Sequence, residues 1–230
     1  MKTIGLIGGM SWESSLDYYR IINEEVKNRL GGLHSAKCIL HSVDFHEIEL
    51  YQRRGQWEKA AQIMTEAGQG LELAGADFII ICTNTMHKVA DQVQKGINIP
   101  LLHIADLTAD KVLSDGIETV GLLGTKYTME QDFYKSRLED KGIKVLIPND
   151  LDRITVNTVI FEELCLGDIV NESRGKYKKI IQELIEEGAE GIILGCTEVG
   201  MLIKQEDSTV PLYDTTILHA IGAVEYALGR

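Results

Sequence analysis

The sequence predicts an α/β protein of two similar lobes, each a parallel sheet flanked by helices. The lobes are expected to be pseudo-twofold related, with the active site in the cleft between them. Three observations carry this. Strand-like and helix-like periods alternate along the chain, as they do where parallel strands are joined through helices. The apolar runs Phe78-Ile79-Ile80-Ile81 and Gly191-Ile192-Ile193-Leu194 follow Gly75-Ala76-Asp77 and Gly188-Ala189-Glu190, an offset of 113 positions (188 − 75). Two further landmarks recur in the same order. Thr119 to Thr125 echoes Thr3 to Gly9 at an offset of 116 (119 − 3), and Val210-Pro211-Leu212-Tyr213 echoes Ile99-Pro100-Leu101-Leu102 at 111 (211 − 100). Repetition of this kind points to a duplicated structural unit.

Length and composition agree with that plan. A chain of 230 residues fits two lobes of about 100 residues each. The expected division is 1–105 with the C-terminal helix 215–230 for the first lobe, and 106–214 for the second. Hydrophobic content of 44% and charged content of 25% are those of a globular protein. The net charge of −12 argues against a nucleic-acid partner, which needs a basic stripe to neutralise phosphates. No apolar run approaches the roughly 20 residues that cross a bilayer, so no membrane partner is expected. The chain opens on a strand-like run, Thr3-Ile4-Gly5-Leu6-Ile7, rather than on the pattern of a signal peptide. A cytoplasmic location is the expectation.

Taken in order, the first strand leads through Gly8-Gly9-Met10-Ser11 into a helix. Leu16, Tyr19, Ile22, Val26 and Leu30 are spaced to form its apolar face, and Gly31-Gly32 ends it. A strand at about 36–43 precedes a polar loop over 44–55, and a helix follows from Trp57 to Leu73 with Ala60, Met64, Ala67 and Leu71 inward. The β-branched run Phe78 to Cys82 reads as a strand covered on both faces. A short helix from Met86 and the strand Ile99 to His103 complete the first half. The second half repeats the plan, with strands ending at Thr125, Ile147, Cys196 and Tyr213, and a final helix at about 215–228.

In open parallel sheets, ligands bind beyond the carboxyl ends of the strands. Gly8-Gly9-Met10-Ser11, Thr83-Asn84-Thr85, Gly124-Thr125 and Cys196-Thr197-Glu198 all fall at such ends. The 113-residue offset sets Thr83 opposite Cys196. Backbone N–H groups and the side chains of Ser11, Asn84, Thr85 and Thr197 suit a carboxylate, although helix capping alone accounts for any one of them. A thiol at a strand end beside a helix N-terminus can act as nucleophile or base. The four cysteines show no C-x-x-C spacing, and Cys38 and Cys82 read as core. Gly5-Leu6-Ile7-Gly8-Gly9 lacks the G-x-G-x-x-G spacing of a dinucleotide site. His41, His46, His87, His103 and His219 lack paired metal-ligand spacing. His87, four residues after Thr83, is placed to support the start of the helix that follows.

Gly8-Gly9-Met10, Thr83-Asn84-Thr85-Met86-His87 and Gly195-Cys196-Thr197-Glu198 together resemble the aspartate/glutamate racemase family, over essentially the whole chain. The resemblance implies two α/β lobes, a homodimer, a small acidic amino-acid substrate and no cofactor, neither pyridoxal phosphate nor metal. It implies two cysteines that flank the substrate Cα, one removing a proton as thiolate and the other returning one to the opposite face. The first of these positions is Thr83 here, a pattern similar to an L-aspartate/glutamate-specific subgroup of the family. Cys196 is then implied as base on the L-substrate and Thr83 as the opposing donor. Met10, Gln52, Thr83, Asn84, Thr85 and Thr197 are implied as substrate contacts. Better-known aspartate racemases also use an Arg after the second strand and a Lys near the second-lobe Gly. Here the first region offers Gln52, Arg53 and Arg54, and Cys165 stands near the Lys position. Two alternatives stay open: a single-cysteine decarboxylase or isomerase of the same superfold, and a non-catalytic acidic amino-acid binding protein.

Overall fold

The structure, a computed structural model, describes residues 1–229. In chain order the first half contains β1 (Ile4–Gly8), α1 (Trp12–Leu30), β2 (Cys38–Ser42), α2 (Phe45–Arg53), α3 (Trp57–Leu73) and β3 (Phe78–Ile81). A 3₁₀ turn (Thr85–Val89), α4 (Ala90–Lys95), β4 (Leu101–Leu102) and α5 (Ile104–Ser114) follow. The second half contains β5 (Thr119–Gly124), α6 (Lys126–Glu130), α7 (Asp132–Glu139), β6 (Lys144–Leu146) and α8 (Asp150–Glu162). It continues through a 3₁₀ turn (Leu164–Leu166), α9 (Asn171–Glu186), β7 (Gly191–Gly195), α10 (Val199–Leu202), β8 (Leu212–Asp214) and α11 (Thr215–Leu228). The chain divides into two compact units, 1–104 with 219–230 and 105–218, so α11 changes unit at His219.

Each unit holds a four-stranded parallel sheet, ordered β2-β1-β3-β4 in the first and β6-β5-β7-β8 in the second. The pairing registers are equivalent as well. Ile4 lies beside Phe78 and Ile79 beside Leu101; in the second sheet Val120 lies beside Gly191 and Ile192 beside Leu212. These pairs are related by the offsets 116, 113 and 111 read from the sequence. A side-chain period of two makes register the quantity that decides which residues face the core, so each face of one sheet has its counterpart in the other.

The central strands are apolar throughout because helices cover both faces. Ile7, Ile79 and Ile81 pack with Ala60, Met64, Ala67 and Leu71 of α3. On the other face, Ile4, Leu6, Phe78, Ile80 and Cys82 pack with Tyr18, Ile22 and Val26 of α1 and with Ala220, Ala223, Val224 and Ala227 of α11. Alternation along β3 thus sends Cys82 into the core, where burial raises its pKa far above the ordinary thiol range. In the second unit Leu123, Ile192 and Leu194 pack with α8 and α9 through Val159, Ile160, Tyr177, Ile180 and Leu184. Each fully buried aliphatic side chain contributes about 1.5–3 kcal/mol.

The face of α1 differs from the one its apolar spacing predicts. Leu16 and Tyr19 are 58% and 50% exposed, and Tyr18, Ile22 and Val26 turn inward. Two stripes of three- and four-residue spacing overlap on this helix. The Tyr18 stripe packs on β1, β3 and α11, and the Tyr18 hydroxyl lies 2.8 Å from Nδ1 of His219 on α11. The α8 helix ends at Glu162, where the 3₁₀ turn and Gly167 in the left-handed conformation redirect the chain.

Candidate active site

In the first unit the β1–α1 loop is held by its own serines. Ser11 caps α1 by accepting from the Ser14 backbone N–H at 3.3 Å, and the Ser15 hydroxyl accepts from the Gly9 N–H at 2.8 Å. Gly9 has φ +92°, and a Cβ there would collide with the Val43 backbone, so only glycine lets the loop pass this close to β2. Ser14 Oγ lies 3.0 Å from the Ser11 carbonyl and 3.4 Å from the Cys82 carbonyl, which fastens this loop to the end of β3.

Beyond β3, Thr83, Asn84 and Thr85 are all buried. His87 lies 2.7 Å through Nδ1 from the Thr83 carbonyl, and its Nε2 accepts from the Ile104 backbone N–H at 3.2 Å. A carbonyl needs a donor and an N–H needs an acceptor, so His87 is neutral with its proton on Nδ1. His87 stacks edge-on to His103 and His219, with ring centroids 4.5 Å and 5.5 Å away. Nε2–H of His219 donates to the Leu102 carbonyl at 3.0 Å, and its Nδ1 lies 2.8 Å from the Tyr18 hydroxyl. Burial pushes its pKa down to about 4.

Gln52 of α2 joins this group. It is buried, and its Nε2 donates to Met86 Sδ at 3.1 Å. Met10 and Met86 belong to the same packed cluster as Ile48 of α2. Arg53, by contrast, is 65% exposed and lies 3.6 Å from Glu49, and Arg54 is exposed. Met10, Gln52, Thr83, Asn84 and Thr85 are therefore all buried in the first unit around the ends of β1 and β3.

The corresponding loop of the second unit follows β7. Here Gly124 and Gly195 pair at the strand ends, and a Cβ on Gly124 would lie 2.7 Å from the Gly195 carbonyl oxygen. Thr125 caps α6 through its hydroxyl. Cys196, Thr197 and Glu198 are buried. The Cys196 thiol donates to Glu198 Oε2 at 3.0 Å, and the Thr197 hydroxyl donates to the same oxygen at 2.7 Å. Burial pushes the Cys196 thiol well above its ordinary pKa, and the negative Glu198 carboxylate adds to that rise. Among the described residues, no three His, Cys, Asp or Glu side chains converge as a metal site would require.

A family model for Asp/Glu/hydantoin racemases matches residues 7–221, nearly the whole chain. The chain belongs to the Asp/Glu/hydantoin racemase family. As such it is an enzyme, an amino-acid racemase. It is 23% identical to the broad specificity amino-acid racemase RacX of Bacillus subtilis, over 93% of this chain and 92% of that one. Among solved structures, a protein from Yersinia pestis, described provisionally as an Asp/Glu racemase, superposes with a TM-score of 0.93 at 56% identity, covering 99% of this chain and 100% of that one. An aspartate racemase homologue from Pyrococcus horikoshii OT3 superposes with a TM-score of 0.84 at 39% identity, again covering 99% and 100%.

Within this racemase-family chain, the structure gives specific contacts to two residues that the sequence noted without them, Glu198 and His87. Glu198 forms part of the Gly-Cys-Thr-Glu motif, yet its contact with Cys196 depends on a side-chain rotamer that spacing does not reveal. His87 shows the one signal available, its four-residue distance from Thr83.

Proposed function

We propose that the protein is a cofactor-independent racemase that interconverts the L and D forms of aspartate and glutamate by proton transfer at Cα. One observation carries this reading. At equivalent registers of two like sheets, β3 runs into a buried threonine and β7 into a buried cysteine hydrogen-bonded to a carboxylate. Cys196 removes the α-proton of the L-substrate, and Thr83 supplies a proton to the opposite face of the carbanion. A thiol can ionise near neutral pH, whereas a threonine hydroxyl is a poor base. The L-to-D direction, which asks Thr83 only to donate, is the better supported one.

Met10, Gln52, Asn84, Thr85 and Thr197 are the proposed substrate contacts. Gln52 rather than Arg53 or Arg54 is assigned to substrate because it is buried beside Met86 and the arginines are exposed. A neutral amide also suits a less exclusive site than a guanidinium does. The similarity to a broad specificity racemase makes a wider amino-acid panel part of the test. We further propose a cytoplasmic homodimer; light scattering of the purified protein reads the assembly.

The test is chiral chromatography after incubation with L-aspartate, L-glutamate and a panel of neutral and basic L-amino acids, without pyridoxal phosphate and with a metal chelator. D-aspartate or D-glutamate formation supports the reading. No D product from either acid would overturn it.

A further inference from the structure

Resting on the assignment of Thr83 as proton donor to the carbanion, we propose that His87 is the positioning residue that aims the Thr83 hydroxyl. Only the Cα–Cβ bond separates a threonine hydroxyl from its backbone, and β-branching restricts rotation about that bond. A fixed backbone therefore leaves Oγ1 few places to be. Both polar backbone groups of Thr83 are held: its N–H donates to the Ile81 carbonyl at 2.9 Å, and its carbonyl accepts from His87 Nδ1–H at 2.7 Å. The His87 ring is buried and held in turn. Its Nε2 accepts from the N–H of Ile104, the first residue of α5, at 3.2 Å, and His103 packs edge-on against it at 4.5 Å. One imidazole thus braces the Thr83 carbonyl against the start of α5.

The second unit makes the equivalent join without such a brace. Thr215, which corresponds to Ile104 (215 − 104 = 111), begins α11 and donates from Oγ1 straight to the Leu194 carbonyl of β7 at 2.8 Å. Gly200 stands in the place of His87 (200 − 87 = 113) and Asp214 in that of His103 (214 − 103 = 111). The Asp214 carboxylate fills the space into which a Cβ on Gly200 would project. Were the brace a requirement of this sheet topology, it would recur in both units. Between these two equivalent loops it is found only behind the threonine.

The consequence is specific to one face of the substrate. With the brace cut, Cys196 still removes the α-proton of the L-substrate, but the donor on the opposite face has moved. Return of a solvent-derived proton by Cys196 then competes with inversion.

Two substitutions cut the brace at different ends. His87→Asn places an amide N–H near the Nδ1 position and keeps the donor to Thr83. His87→Gln places its amide near Nε2, which keeps an acceptor for Ile104 and loses that donor. Each protein is incubated with L-aspartate and L-glutamate in D2O, with chiral chromatography for D product and mass spectrometry for deuterium in the remaining L pool. Alkylation of Cys196 by iodoacetamide against pH, read on the Cys196 peptide, monitors the second loop. His87→Gln should lower D formation by roughly 10²-fold, the cost of an ångström's misplacement of a reacting group. It should also raise the ratio of L-pool deuteration to inversion and leave the alkylation midpoint in place. His87→Asn should recover most of the rate and the wild-type ratio, whereas a general loss of structure would lower exchange and inversion in step. An unchanged ratio in His87→Gln, or an asparagine variant no better than the glutamine one, would overturn the proposal. Thr83→Ala separates this failure from that of the donor assignment, because loss of the donor itself should raise the same ratio. If Thr83→Ala inverts substrate as wild type does, or wild type makes no D enantiomer, the donor assignment fails and the positioning role with it. If Thr83→Ala raises the ratio and His87→Gln does not, the donor stands and only the role of His87 falls.

Discussion

The loops after β3 and β7 occupy the same place in the same sheet topology, yet different chemistry holds them. Ile81 lies beside Ile7 where Leu194 lies beside Leu123, so the two strands leave their sheets in step. After β3 the support acts on the backbone: His87, neutral and fixed at both nitrogens, grips the Thr83 carbonyl. After β7 the support acts on a side chain, with Glu198 against the Cys196 sulfur. Neither support is duplicated. The 113-residue offset sets Gly200 in the place of His87 and Thr85 in the place of Glu198, and any side chain at 200 would strike the Asp214 carboxylate. The duplicated backbone is conserved in geometry and divided in labour. One loop holds a backbone carbonyl, the other a thiol.

The largest expected effect separates the loops by chemistry. Cys196→Ala should lower racemisation in both directions by roughly 10²–10⁴-fold, with an unchanged circular dichroism spectrum. Retained activity would remove the second loop from the reaction.

A stability effect belongs to the first unit. His219 stays neutral in the fold with a pKa of about 4, below its ordinary value of 6.5. Between those values the unfolded chain binds the extra proton, so stability rises with pH. The contribution is fully present above pH 6.5, is lost as the pH falls toward 4, and amounts to about 3 kcal/mol. Urea unfolding of wild type and His219→Gln at pH 7.5 and 4.5 should show the difference between the two proteins shrinking at the lower pH. A constant difference would contradict the neutral assignment.

His87→Ala leaves the Thr83 carbonyl and the Ile104 N–H without their partner, at a cost of about 1–3 kcal/mol. Racemisation should fall while Cys196 alkylation stays as in wild type, because the lesion is confined to the β3 loop. A changed alkylation profile would show that the two loops are not supported separately.

The smallest effect probes the asymmetry. Thr83→Cys gives the first loop a basic thiol and should raise kcat/KM by about tenfold, equally in the two directions because enantiomers interconvert with an equilibrium constant of one. No gain would mean that Thr83 is not what limits proton transfer at its face.

The symmetry was legible in the residues, and its breaking only partly so. Buried β-branched strands and three landmarks at nearly constant offsets were enough to predict two like sheets, because a parallel strand covered on both faces leaves an unmistakable apolar run. The inward face of α1 was not legible, because Tyr18 packs and hydrogen-bonds with α11, whose His219 lies 201 positions away. Glu198 stood in a motif whose letters carry no rotamer. Gln52 was preferred to the adjacent arginines by resemblance alone, and the structure buries it and leaves them exposed.

The most direct measurement of this division of labour follows L-glutamate and L-aspartate in D2O by NMR during the first turnovers. With Cys196 and Thr83 serving opposite faces, the D enantiomer should carry deuterium at Cα from the start, while the remaining L-substrate keeps its proton. Deuterium entering the L pool faster than D product forms would show one group exchanging the proton on a single face, and would contradict the account.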